Sequence, residues 1–252
     1  MGPSAYFVGT ASWSIPKDFA EAFPEAGSHL ERYAQVLSGV EINSSFYRPH
    51  QPKTYARWAA SVPEGFRFAV KAPQEITHKR KLRDTEAVLE DFLDQTAQLG
   101  HKRGPLLFQL PPSLAFNEGV VRPFFEMLRG RHAGPVVLEP RHKTWFTPRV
   151  EDLLTDFAIA RVAADPARVP EAAEPGGFDG LVYYRWHGSP RMYYSDYSIE
   201  AIADLGARMT RHPEAAEVWC IFDNTTVGFA TGNALTLQDR LGIPEGTNRS
   251  AR

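Results

Sequence analysis

The sequence is short of several features, and each shortage excludes something. One cysteine, Cys220, stands in 252 residues. That excludes an internal disulfide and any multi-cysteine metal site. No apolar run approaches the roughly 18 residues that a membrane span requires. Neither sign of charge prevails: 28 Lys and Arg face 30 Asp and Glu, for a net −2. A globally basic nucleic-acid binder is thereby excluded, although a local basic patch is not. The opening MGPSAYFVGT has no basic stretch leading into an apolar one, so no export signal is expected. Tyr6 stands where a myristoylation signal wants Ser or Thr. The expectation is a cytoplasmic chain, in which the Asn248-Arg249-Ser250 triplet is without consequence as a glycosylation acceptor. Nucleophile-elbow, phosphate-loop, dinucleotide and H-E-x-x-H signatures are missing as well.

What the chain has is regular punctuation. Its 20 prolines and 19 glycines are spread along the sequence rather than pooled in a linker, so residues 1–252 are read as one domain. Eight apolar runs of strand character centre near Phe7, Ile42, Phe68, Leu107, Val137, Val162, Tyr183 and Ile221. Their mean spacing of about 31 residues is that of one strand–helix unit. Helical patterns fill most of the gaps. One follows Ser28, with Glu31 completing a capping box and Leu30, Tyr33, Ala34 and Leu37 as its stripe. The clearest runs from Asp84 to Leu99, stopped by Gly100. The last carries Val227, Ala230, Ala234, Leu237 and Leu241 before Gly242 and Pro244. The stretch 166–177, rich in Pro, Ala and Glu, reads as an irregular crossover where a sixth helix belongs. Eight such units predict an α/β fold, a (β/α)8 TIM barrel. An open doubly wound sheet is the alternative; the first strand runs into Gly9-Thr-Ala-Ser-Trp13, without that fold's usual glycine fingerprint.

In a barrel the chemistry gathers at the C-terminal strand ends. Seven of the eight runs finish there in polar or ionisable residues: Glu41 to Asn43, Lys71, Gln109, Glu139 to His142, Asp165, Arg185 to His187, and Asp223 with Asn224. Glu, Lys, Arg, His and Gln are not turn formers, so turn chemistry does not account for them. Alternate strand residues share a face. Glu41 therefore goes with Asn43, Glu139 with Arg141, Arg185 with His187, Lys71 with Ala69, and Gln109 with Leu107. Val40 and Ile42 fall on the opposite side, under the helices. The arrangement points the charged groups at one mouth. The alternative is a structural ring of ion pairs or solvated strand ends.

Several segments together carry a resemblance: VEINSSFYRPHQPKTYARW from Val40, FRFAVKAPQEITH from Phe66, GPLLFQLPPS from Gly104, VVLEPRHKTWF from Val136, YYRWHGS from Tyr183 and IFDNTTVGFATGNAL from Ile221. The chain resembles the YecE-like family, domain of unknown function 72, over nearly its whole length. The resemblance implies a TIM barrel and a site at these positions, and supplies no reaction.

Within that frame Glu41 and Glu139 form a candidate acid/base pair on strands two and five, with His187 a candidate proton carrier. Lys71, Arg141 and Arg185 suit a phosphate or carboxylate. Lys71 could instead form a Schiff base if burial and neighbouring cations depressed its pKa. Asn43, Tyr47, His78, Gln109, His142, Asp223 and Asn224 complete the expected substrate-binding set. His78-Lys79-Arg80-Lys81 and Arg83 add a basic loop on the same side. Tyr47, Trp145 and Trp186, with Phe46 and Phe146, could stack on sugars or bases, or close the top of the fold. Glu41, Glu139, Asp165, Asp223 and His187 are metal-ligand types. The three cations of the inward set, Lys71, Arg141 and Arg185, argue against a divalent ion, and no metal or cofactor is expected. The expected function is an enzyme on a small or oligomeric anionic substrate, phosphorylated or sugar-like. A nucleic-acid-binding or repair protein and a non-catalytic ligand-binding barrel are the alternatives.

Overall fold

The computed structural model describes residues 5–243. The Met1-Gly2 opening, Pro244 and the Asn248 triplet lie outside the described residues. The fold is mixed α/β, built on parallel sheets. The strands are β1 (Ala5–Thr10), β2 (Gly39–Ile42), β3 (Arg67–Lys71), β4 (Arg103–Gln109), β5 (Val136–Glu139), β6 (Ala160–Arg161), β7 (Ala163–Asp165), β8 (Gly176–Gly177), β9 (Leu181–Trp186) and β10 (Glu217–Phe222). The helices are α1 (His29–Ala34), α2 (Pro52–Ala60), α3 (Glu86–Ala97), α4 (Glu118–Arg131), α5 (Pro148–Asp156), α6 (Ile199–Met209) and α7 (Phe229–Arg240).

Hydrogen bonding divides the strands into a sheet of four, ordered β1-β10-β9-β7, and a sheet of six, ordered β2-β3-β4-β5-β6-β8. Every pair is parallel except β6 with β8. The apolar run around Val162, read as one strand, is thus two. Its first half pairs with β5 and its second with β9, and the chain changes sheets at Val162. At the other edge β1 meets β2 through side chains. Val8 N donates to Ser38 Oγ at 3.0 Å, and Tyr33 OH of α1 accepts from Thr10 N at 2.9 Å and donates to Gly39 O at 3.2 Å.

Side-chain parity sorts the strand residues into two cores. Val8, Val40, Ile42, Phe68, Val70, Phe108, Leu138 and Cys220 face the helices. Phe7, Ala69, Leu107, Val137, Tyr183, Trp219 and Ile221 form a second cluster between the sheets. Trp219 dominates that inner cluster, stacking on Phe7 at 4.4 Å and on Tyr183 at 6.0 Å. Gly39 and Gly104 make room for it: a Cβ at Gly104 would lie 2.7 Å from the indole.

The capping box at Ser28 forms, with Ser28 N donating to Glu31 Oε2 at 2.7 Å and Ser28 Oγ accepting from Glu31 N at 3.3 Å. α3 buries Leu89, Phe92, Leu93 and Thr96, and Gly100 follows with φ +59. The crossover after β7 contains a short 3-10 turn (Pro170–Ala173) and β8 in place of a helix. Val227, assigned to the stripe of the last helix, lies before α7 and is exposed, because Gly228 at φ +92 turns the chain between them.

Candidate active site

The inner faces of β2, β3, β4, β5, β9 and β10 end in one buried polar cluster, with Arg185 at its centre. Arg185 has no exposed surface, and its guanidinium is shared among three carboxylates. Nε and Nη2 grip Glu41 at 3.0 and 2.8 Å, Nη1 reaches Glu139 Oε2 at 3.2 Å, and Nη2 lies 2.9 Å from Asp223 Oδ2. The planar fork of Arg fits the two oxygens of Glu41 as Lys could not. Tyr183, two residues earlier on the same face of β9, donates its OH to Glu41 Oε2 at 3.1 Å. Gln109 donates to both oxygens of Glu139 at 3.0 and 2.9 Å, and Arg141 adds two bonds to Glu139 Oε1 at 3.0 and 2.9 Å. His187 bridges the remaining gap, with Nδ1 3.0 Å from Asp223 Oδ2 and Nε2 3.2 Å from Glu139 Oε1.

Burial alone would raise the carboxyl pKa values and lower those of the cations. At Glu139 burial pulls upward, but the charges of Arg141, Arg185 and His187 outweigh it and hold the carboxyl well below its usual range. Asp223 is likewise lowered, by Arg185 and His187 against burial. Arg185 is depressed by burial but raised further by Asp223, Glu41 and Glu139, so its charge is secure. Breaking such a set by removing one member leaves a bare buried charge, the costliest state available.

Lys71 stands apart. It is 6% exposed, and its Nζ lies 4.3 Å from the centre of the Phe46 ring. Among the described residues no carboxylate lies within salt-bridge distance of that amine. Burial, then the charge of Arg185, lower its pKa to about 8 against the pull of Glu41, Asp223 and Glu139. Phe46 also packs edge-on against His78, 4.9 Å away. Burial, followed by the charges of Lys71 and Arg141, lowers the His78 pKa.

The structure thus brings together Glu41, Lys71, Gln109, Glu139, Arg141, Arg185, His187 and Asp223, with His78 beside them. It does not bring in the others. Asn224 is fully buried and spent internally, its Nδ2 donating to Ser195 O and Asn233 Oδ1. His142 caps a turn, accepting from Thr144 N. Tyr47 is 69% exposed and touches Phe46 edge-on. Asn43 follows β2 beside the cluster, with its Oδ1 buried and without a hydrogen-bond partner among the described residues. Asp165 accepts from Tyr197 OH at 2.7 Å. The space over Gly188 is filled by Asn224 and Ser195 of the same chain, so no ligand approaches the backbone there. Trp145 and Trp186 are buried: Trp145 donates to Leu114 O, and Trp186 packs on Tyr197 and Phe222. In the basic loop, Lys79 and Arg80 fold back onto Glu75, each at 3.1 Å.

The cluster meets the surface at a narrow cleft lined by Glu139, Arg141, Ala164, Pro166, Arg168, His187 and Met192, with room of about 10 Å3, roughly that of one water. Tyr193 stands edge-on to His187 at 5.8 Å. Sequence reasoning missed Tyr183, Arg168 and Tyr193. Parity with Arg185 was a usable signal for Tyr183; the other two sit in loops without periodicity. Among the described residues no group of three or more His, Cys, Asp and Glu is arranged to hold a metal ion, and the carboxylates here are occupied by guanidinium groups. No helix of the described residues is long and apolar enough to cross a membrane.

Parallel strands ending in a buried ionic network at one cleft define a protein of the mixed α/β class with its polar site at the strand ends. The family model described as "Protein of unknown function DUF72" matches residues 7–251, and the chain belongs to that family. It is 29% identical to the UPF0759 protein YecE of Escherichia coli K12 over a stretch covering 67% of this chain and 62% of that protein. The stretch thus spans about three fifths of the relative's length. It is 21% identical to the UPF0759 protein YunF of Bacillus subtilis, covering 94% of this chain and 95% of that one. Among solved structures, a DUF72 family protein of Enterococcus faecalis matches with a TM-score of 0.79 at 25% identity, over 96% of this chain and 99% of that one. One from Thermotoga maritima matches with a TM-score of 0.80 at 24% identity, over 94% and 99%.

Proposed function

We propose that the chain is a (β/α)8-barrel enzyme of the cytoplasm that acts on a small anionic substrate at the strand-end cleft. Barrel closure is supported by the two sheets meeting at both edges, through Val162 on one side and, on the other, the Val8–Ser38 bond and the Thr10–Tyr33–Gly39 bridge.

The observation that carries the substrate reading is a buried amine left without an ion-pair partner beside a network of ion pairs. Three carboxylates, Glu41, Glu139 and Asp223, face three partners within salt-bridge distance, Arg185, Arg141 and His187. Lys71 belongs to the same cluster, yet among the described residues no carboxylate lies within salt-bridge distance of its buried amine. An anion entering the cleft is met by Arg141 and Arg168, which line it, and Lys71, in the same cluster, adds its positive charge. Arg185 has no surface to offer a ligand, so its part is to hold Glu41 and Glu139 in place. Proton transfer falls to His187 and Glu139, which line the cleft, while Glu41 is sealed beneath Arg185 and Tyr183.

Titration of phosphate by calorimetry tests this reading. Arg141→Ala should weaken binding about tenfold or more, since a buried charge-assisted hydrogen bond contributes roughly 1.5–3 kcal/mol. Equal binding by parent and variant would remove the substrate assignment. The nucleic-acid alternative has less support, because Lys79 and Arg80 are already turned onto Glu75; it would require salt-dependent DNA binding that depends on Lys81 and Arg83.

A further inference from the structure

Lys71 has the surroundings of a nucleophile as well as those of an anchor. A lysine amine reacts only when neutral, and two circumstances favour that form: removal from water, and a nearby cation. Lys71 has both. Its side chain is buried against the Phe46 ring, and the carboxylates that could hold its proton are gripped by Arg185, Arg141 and His187. The residue retains a small exposed surface at the end of β3.

Resting on the anionic-substrate reading above, we propose that Lys71 forms an imine with the carbonyl carbon of a substrate that also carries a carboxylate or phosphate group. Neutral Nζ attacks that carbon, and the carbonyl π pair moves to oxygen, which takes a proton. The carbinolamine then expels this oxygen with a second proton as water while the nitrogen lone pair closes the C=N bond. The two amine hydrogens end on the water and no electrons are exchanged with any other reagent. The acidic group of the substrate explains why an acid is the expected class. When the imine nitrogen takes up one proton from solvent, it restores a positive charge in this buried place, and the substrate's own anion supplies the counter-charge.

The reaction depends on pH through every charge that faces Lys71. Burial and Arg185 push its pKa down, Glu41, Asp223 and Glu139 push it up, and the outcome is about 8. His78, across the Phe46 ring, is itself lowered. At pH 8 about half of the Lys71 amines are neutral, against well under a hundredth of ordinary exposed ones.

The experiment uses the full chain with pyruvate as probe and borohydride as the external hydride donor that fixes any imine as a secondary amine. Peptide mass mapping then locates the label. Lys71 should be labelled roughly a hundredfold faster than exposed Lys79 and Lys81, and the label should fall as pH drops from 8 to 6. Lys71→Arg, which keeps the charge, should lose it. Labelling no faster than at the exposed lysines overturns the imine. Lactate has the carboxylate but no carbonyl, and so separates the two readings. Arg141-dependent binding of lactate or phosphate with no label at Lys71 overturns the imine alone; absence of both binding and label overturns the anionic-substrate reading with it.

Discussion

The lower and upper halves of the space between the sheets are built by the same strands and share almost nothing chemically. On β10 the inward positions run Trp219, Ile221, Asp223; on β9 they run Leu181, Tyr183, Arg185, His187. β5 passes from Val137 to Glu139, β4 from Leu107 to Gln109, and β3 from Ala69 to Lys71. In the lower half a single indole is stacked between rings and seated over two glycines, so dispersion and apolar burial do the holding. In the upper half the same volume is filled by ions that must each find a partner. The comparison teaches that position along the strand, rather than strand identity, separates stability from chemistry. Only the upper half carries a group, Lys71, that its surroundings leave unsatisfied.

Three changes would break or sharpen that contrast. The largest effect is expected from Arg185→Met, which strands Glu41, Glu139 and Asp223 together. A loss of about 3–5 kcal/mol at pH 7 is expected in denaturant unfolding. Much of it should return in acid, where the carboxylates protonate. In the parent the sign is opposite: Glu139 and Asp223 are lowered in the fold, so their contribution is complete above the usual carboxylate range and is lost as pH falls below about 4. A variant that loses less than 1 kcal/mol at neutral pH would refute the central role of Arg185.

Next in size, Lys71→Met should stabilise the chain by about 3 kcal/mol at pH 7. The unfolded lysine binds its proton up to its ordinary pKa, whereas the folded one releases it near 8. The penalty is therefore full below pH 8 and fades as pH rises to about 10.5. The gain from methionine should shrink over that interval, and unfolding curves at pH 7 and 10.5 measure it; a gain that does not change with pH would point to packing alone.

The smallest is Gly104→Ala in the lower half. Its Cβ would meet the Trp219 ring at 2.7 Å, and a loss of about 1–2 kcal/mol is expected from overpacking. Phosphate affinity should stay as in the parent, which is the sharper half of the test: a change in affinity would mean that the two halves are not separable.

Local patterns made much of this legible in advance. The polar strand ends, their parity and the Ser28 capping box all depend on neighbours within a few residues. The sheet change at Val162 was not legible, because it depends on which strand each half finds, and both halves have the same apolar character. The fate of Glu41 was not legible either. Its partner Arg185 lies 144 residues away, and no spacing rule says that Arg185 would enclose Glu41 instead of meeting a ligand. Asn224 sits at a strand end like the others, yet its amide joins α7 through Asn233, whose Nδ2 reaches Asp196 at 2.7 Å. Its polarity serves helix docking.

Tyr183 touches both halves, with its ring stacked on Trp219 and its hydroxyl on Glu41. The molecule therefore contains its own optical gauge. A displacement of Arg185 or Glu41 is felt one ring away by an indole that is shielded from solvent, so an occupied cleft should announce itself as a change in Trp219 emission without any attached dye.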